Sequence, residues 1–219
     1  MNYKLIVNED NLKEFINWLP DLEPNEKFFV ALFARKKYCG DLIKSNDKTQ
    51  LKRFLATKET LIDKIKQLEC EIGTYKLKHT AAPQESLVLY ITPNPRDMVK
   101  ATFALGKKCF DLIQTQGYNY NIHAEALSCV QRSKSKSRFC DFDIDDKSVD
   151  LTKLHGILPR DCYSILETRG GYHVLVDVTK APKTKWHVAI REAFDVDQVG
   201  DQLIPIPGCV QGGFEPKFI

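Results

Sequence analysis

Apolar and polar positions alternate along this chain with two different periods, and the switches between them outline a mixed succession of strands and helices. Tyr3 to Val7 predicts a short strand, followed by a helix from Glu9 to Leu19 that stops at Pro20. Phe28-Phe29-Val30-Ala31-Leu32-Phe33 is a compact apolar run suited to a buried strand, and Arg35-Lys36-Lys37 leaves it. From Lys48 to Ile72 the positions Leu51, Leu55, Leu61, Ile65, Leu68 and Ile72 fall at helical spacing, so one helix ending at Gly73 is predicted there. Leu87 to Ile91 reads as a strand, stopped by Thr92-Pro93-Asn94-Pro95-Arg96 because prolines do not sit inside a paired ladder. A helix then runs from Asp97 to Gln114, with Met98, Thr102, Leu105, Cys109 and Ile113 on one side.

The second half is richer in strands. A helix at Ile122 to Gln131 leads into the basic, polar loop Arg132-Ser133-Lys134-Ser135-Lys136-Ser137-Arg138. Next comes Phe139-Cys140-Asp141-Phe142-Asp143-Ile144, and then Ser164 to Thr168 and His173 to Val178 form a hairpin joined through Arg169-Gly170-Gly171-Tyr172. Lys183 to Phe194 is a predicted helix with Trp186, Ala189, Ile190 and Ala193 inward, and Leu203 to Ile206 is a last short strand. These elements define an α+β fold over residues 1–219 as a single unit, with lobes of about 1–135 and 136–219 divided at the basic loop.

Composition narrows the picture. The 219 residues, 43% hydrophobic, suffice for an ordinary core, and the net charge of +3 leaves any polyanion binding to local clusters. No apolar run approaches a membrane span and the N-terminal residues lack a signal-peptide pattern, so no membrane and a cytoplasmic location are expected. The seven cysteines are scattered without Cys-x-x-Cys or zinc spacing, and they read as reduced core residues.

The chemistry concentrates in the acidic strand. Strand side chains alternate faces, so Asp141 and Asp143 project from one side, about 7 Å apart, while Cys140, Phe142 and Ile144 pack on the other. Two such carboxylates repel and lose hydration, which a divalent cation between them relieves. The alternative is a strand end running into the solvated turn Asp145-Asp146-Lys147. His173 follows a double glycine at the start of an apolar strand, where the backbone can approach a ligand; a lone histidine there can equally be a core residue. Its imidazole can donate to a phosphate oxygen, with Arg169 adding charge. The cations Arg35, Lys36, Lys37, Arg96, Lys134, Lys136 and Arg138 can hold polyphosphate or template, or be solvated surface charges; Arg96, on a proline-fixed turn, is the best placed.

In order, these motifs resemble the archaeo-eukaryotic primase superfamily, which includes phage- and plasmid-type primase-polymerases. The residues that carry the resemblance are Asp141 and Asp143 as Asp-x-Asp, Thr168-Arg169-Gly170-Gly171-Tyr172-His173, Asp197 ahead of Pro207-Gly208, and an upstream strand ending in Asn94-Pro95-Arg96. The resemblance implies a two-lobed catalytic core around a twisted, mainly antiparallel sheet flanked by helices. It also implies a metal-dependent nucleotidyltransferase that synthesises or extends short primers in replication. Asp141, Asp143 and Asp197 would hold two Mg²⁺ or Mn²⁺ ions, and His173, with Arg169 and Arg96, would contact the nucleotide. The implied partners are nucleoside triphosphates, a single-stranded DNA template and a replicative helicase or other replisome protein. The chain departs from the family in carrying Pro205 where many relatives have an arginine, and Asp195 and Asp201 compete with Asp197 for third carboxylate; Asp197 follows an apolar residue, as in the family, and shares a strand face with Asp195. A degenerate relative that only binds single strands, and a nuclease using the same carboxylates, are the competing functions.

Overall fold

The structure is a computed structural model and describes residues 1–40, 48–77, 79–117 and 119–219. It is mixed α and β, and every strand pairing in it is antiparallel. Helix α1 (Glu9–Trp18) is capped by the Asn8 side chain, which accepts from the Asn11 amide, and it ends as Leu19 adopts the extended backbone demanded by Pro20. Strand β1 (Glu26–Arg35) follows, then β2 (Lys48–Ala56), α2 (Lys58–Lys66) and the small ribbon β3 (Lys76–Leu77) with β4 (Thr80–Ala81). Next come β5 (Leu87–Ile91), β6 (Arg96–Asp97), α3 (Met98–Gln116) and α4 (Ile122–Arg132). The second half contributes β7 (Phe139–Ile144), β8 (Tyr163–Glu167), β9 (Tyr172–Asp177), α5 (Trp186–Ala193), β10 (Gln198–Gly200), β11 (Ile204–Pro205) and β12 (Lys217–Phe218).

Two sheets organise these strands. The first has the order β11-β5-β1-β2, with β6 also on β1, and the second has the order β10-β7-β9-β8-β12. Alternation assigns each face of β1 a different core: Phe28, Val30, Leu32 and Ala34 point into the largest one, Phe29, Ala31 and Phe33 into another. That largest core also takes Leu12 and Phe15 of α1, Leu61 and Ile65 of α2, and Phe139, Leu166 and Leu175 of the second sheet. Ala101 of α3 and Val130 of α4 cover the outer side of the first sheet, while Ile190 of α5 covers the outer side of the second with Phe142, Val174 and Val176. The halves divided at the basic loop correspond to the two sheets except that β11 returns to pair with β5. Trp18 of α1 also crosses over, stacking on Phe139 at 4.4 Å and donating to Ser164 Oγ at 3.0 Å.

Three predicted elements differ. The helix predicted over 48–72 is a strand followed by a shorter helix, because β1 is buried and presents backbone groups on both edges; β5 satisfies one and β2 the other. Leu51 and Leu55 are four residues apart, which fits a helical turn; in the structure a bulge opposite Leu32/Phe33 skips Leu51 in the pairing and sets the two on opposite faces, Leu51 against the largest core and Leu55 against the one that α3 and α4 cover. Residues 3–7 are extended but form only an isolated bridge, Ile6 to Cys209, with the Leu5 and Ile6 amides donating to Glu69 Oε1. In α3 the inward residues are Ala101, Leu105, Cys109 and Leu112, whereas Thr102 and Ile113 are exposed. Among the described residues no helix is long and apolar enough to cross a membrane.

Candidate functional site

β7 and β9 pair so that Asp143 lies directly opposite His173, and β10 pairs on the other edge of β7 with Gln198 opposite Asp143. Phe139, Asp141 and Asp143 share the face of β7 that continues from the largest core, so the carboxylates sit where that apolar layer ends. The face predicted from alternation is the one observed. Asp141 is 1% exposed, and its Oδ2 accepts from His173 Nδ1 at 2.8 Å. The other oxygen, Oδ1, is buried without a hydrogen-bond partner. His173 Nε2 lies 3.7 Å from Asp143 Oδ1.

Beyond this pair opens a cavity of ≈ 470 Å³. Asp143, Asp145, Asp197 and His173 line one side of it, and Arg35, Lys37 and Arg96 also border it. Asp197 is exposed, and its amide donates to the Asp143 carbonyl at 2.9 Å, which fixes its position beside β7. Since β10 starts at Gln198, Asp195 and Asp197 do not share a strand face as expected; both border a second depression, but only Asp197 also lines the cavity. Asp201 lines the same cavity, but its oxygens are engaged, accepting from Asn94 Nδ2 at 2.9 Å and Arg96 Nη1 at 2.6 Å. Asn94 in turn accepts the Arg138 and Phe139 amides through Oδ1, at 2.8 Å each, and so pins the start of β7.

The electrostatics follow from burial. Desolvation pushes the Asp143 carboxyl above its ordinary range; His173 opposes this, and Asp141, Asp145 and Asp197 reinforce it. Burial alone would push His173 down, but the Asp141 charge and hydrogen bond, with Asp143 and Asp145 beyond, outweigh it and raise the imidazole above its usual value. The carboxylate behind it therefore favours the protonated imidazole, and the His173 side chain lines the cavity.

Several expected residues take different roles. Arg169 is not part of the cavity lining: its guanidinium donates to the Gly212 carbonyl and lies 4.9 Å from the Tyr38 ring centroid, while its amide donates to Gln211. The close approach that Gly171 permits is to the protein itself, since a Cβ there would run into the Ile144 carbonyl and the Asp146 amide. Gly208, at φ +74°, likewise packs on the start of α1, where its carbonyl accepts from the Val7 and Asn8 amides. Pro205 lines the cavity from β11. Of the loop cations, Arg138 is bound to Asp177 at 3.0 Å and Lys134 bridges to Arg96 through the backbone. Asp145, which the sequence places in a solvated turn, borders the cavity; it continues the 141, 143 alternation by one step beyond the strand.

Among the described residues no cluster of three or more His, Cys, Asp and Glu side chains is grouped to hold a metal ion. Asp143 and Asp197 nevertheless fit a hard cation in donor chemistry, since both are oxygen donors on the cavity and the Asp143 carboxyl carries a cost for its charge; the expected third ligand, Asp141, is buried behind His173, outside the cavity lining. No family model, curated protein or solved structure matches this chain.

Proposed function

We propose that this chain is a metal-dependent nucleotidyltransferase resembling a minimal DNA primase or primase-polymerase, acting on nucleoside triphosphates and a single-stranded DNA template. The observation that carries the reading is the convergence of Asp143, Asp197 and a carboxylate-backed His173 on one cavity that also presents Arg35, Lys37 and Arg96. A triphosphate needs such a mixture, because its charge must be balanced while its reacting phosphorus stays accessible. Asp143 and Asp197, with Asp141 behind them, would hold Mg²⁺ or Mn²⁺. Such ions keep waters and complete their shells with substrate phosphates, so one or two carboxylates suffice before substrate arrives. When bound, they neutralise charge on the attacking and leaving oxygens.

The chain's own residues supply the rest. His173, whose protonated form Asp141 favours, would donate from Nε2 to a phosphate oxygen and fix the polyphosphate without transferring a proton. Arg96, neutralised in part by Asp201, orders the cavity wall and contributes field rather than a mobile hand. Arg35 is steadied by donating to the Tyr90 hydroxyl at 3.0 Å and adds positive charge near the phosphates. The test is synthesis on an unprimed single-stranded template with Mn²⁺ or Mg²⁺ and labelled nucleotides. New, template-dependent, metal-dependent chains are expected. Degradation of the template without synthesis would assign the same carboxylates to a nuclease, and binding with neither product would leave a single-strand binder.

A further inference from the structure

The carboxylate cavity makes no use of the exposed side of α3. Helices α3 and α4 lie beside one another over the first sheet, and a groove of ≈ 520 Å³ runs between them. Lys100, Lys107 and Lys108 of α3, Arg132 of α4 and Lys134 just beyond it line this groove; Asp111 and Glu125 are its carboxylates, so positive charge dominates. Along α3 the residues Lys100, Phe103, Lys107 and Phe110 follow each other at steps of three, four and three, which places them in one stripe of alternating cations and phenyl rings. The rings are bare: Phe103 is 73% and Phe110 72% exposed. Exposed rings set in a cationic stripe mark an interaction surface rather than ordinary surface composition.

The chemistry selects the occupant. An apolar protein helix would bury the rings only by also covering lysines that need water or counter-charge. A duplex would answer the charge but keeps its bases stacked inside, away from the phenyl faces. An unpaired strand answers both, with phosphates against the cations and bases on the rings. The groove lies near the cavity: Gln131 lines the cavity, its neighbour in α4, Arg132, lines the groove, and Lys134 of the groove forms a backbone bridge with Arg96 of the cavity. We propose that the α3–α4 groove is a track for single-stranded nucleic acid, with its phosphates on Lys100, Lys107, Lys108, Arg132 and Lys134 and its bases stacked on Phe103 and Phe110. Only the statement that this strand is the template of the cavity rests on the nucleotidyl-transfer reading.

The test is binding of a labelled oligothymidylate by the full chain, metal-free, across a salt series. Lys107→Glu with Lys108→Glu should weaken binding and flatten the salt dependence by about 0.7 in log–log slope for each phosphate that is no longer neutralised. Phe103→Ala with Phe110→Ala should weaken binding at least roughly thirtyfold while leaving the slope unchanged, because stacking carries no counterion release. Phe103→Leu with Phe110→Leu keeps the apolar surface and should weaken binding similarly; it replaces the alanine pair if that pair loses helix content. A wild-type chain that binds the oligothymidylate but makes no product on an unprimed template counts against the transfer reading alone and leaves the track standing. Wild-type affinity in both the charge and ring variants overturns the track. So does a ring variant that changes the oligomeric state of the protein but not its affinity for the strand, which would make the stripe a contact between copies of this chain.

Discussion

β1 and β7 are both interior strands of antiparallel sheets, yet their faces are used differently. β1 is apolar on both faces and divides its side chains between two hydrophobic cores. β7 packs Phe142 and Ile144 into one core, while its other face passes from Phe139 to Asp141 and Asp143. The first strand gains stability from each position; the second carries two carboxylates and an unsatisfied buried oxygen that work against folding. That this cost falls next to a cavity is what makes the place a candidate site.

The contrast gives a graded set of expectations. Phe29→Ala on β1 should lose about 3–5 kcal/mol in a denaturant melt, since Phe29 is fully buried and its removal leaves a cavity. Loss of less than about 1 kcal/mol would mean that the outer layer of α3 and α4 collapses into the space. Asp201→Ala should cost about 3 kcal/mol or more, because it strands Arg96, which is 2% exposed, without its carboxylate. Asp201→Asn should impair activity only in part, whereas Asp197→Asn should leave little activity and normal stability. The reverse ranking would move the third carboxylate to Asp201.

His173 gives a smaller effect, read through pH. Its folded pKa is raised above the ordinary 6.5, so its contribution is complete below that value and is lost as pH rises through the folded pKa. Melting temperature should therefore fall as pH increases above about 6.5, and His173→Gln should remove that slope. At fixed pH, His173→Ala should raise KM for nucleotide by roughly tenfold with little change in template affinity. An unchanged KM with the same stability loss would make His173 a packing residue.

Alternation makes the site's central face legible from sequence. Asp141, Asp143 and His173 occupy the sheet face their parity assigns; the hairpin through Gly170-Gly171 pairs His173 with Leu166, and the β7–β9 pairing sets it opposite Asp143. What parity does not reveal is depth: Asp141 is sealed behind His173 while Asp145, past the strand end, reaches the cavity. Pairings distant in sequence are also hidden, because Arg96 with Asp201 and Asn94 with β7 depend on how the halves meet. The strand at 48–56 reads as helix because the four-residue spacing of Leu51 and Leu55 fits a helical turn, and only the pairing with β1 shows it to be a strand.

The most direct test is to compare Asp143→Ala and Asp145→Ala with the wild type, measuring melting temperature and Mn²⁺-dependent nucleotide incorporation on a single-stranded template in parallel. Asp143→Ala should change stability by no more than about 1 kcal/mol, because it removes a carboxylate whose charge burial disfavours, and should cut incorporation at least ~100-fold. Asp145→Ala, which is exposed, should do far less to activity. Incorporation that survives Asp143→Ala, or that disappears together with the folded protein, would contradict the assignment of this face to nucleotidyl transfer.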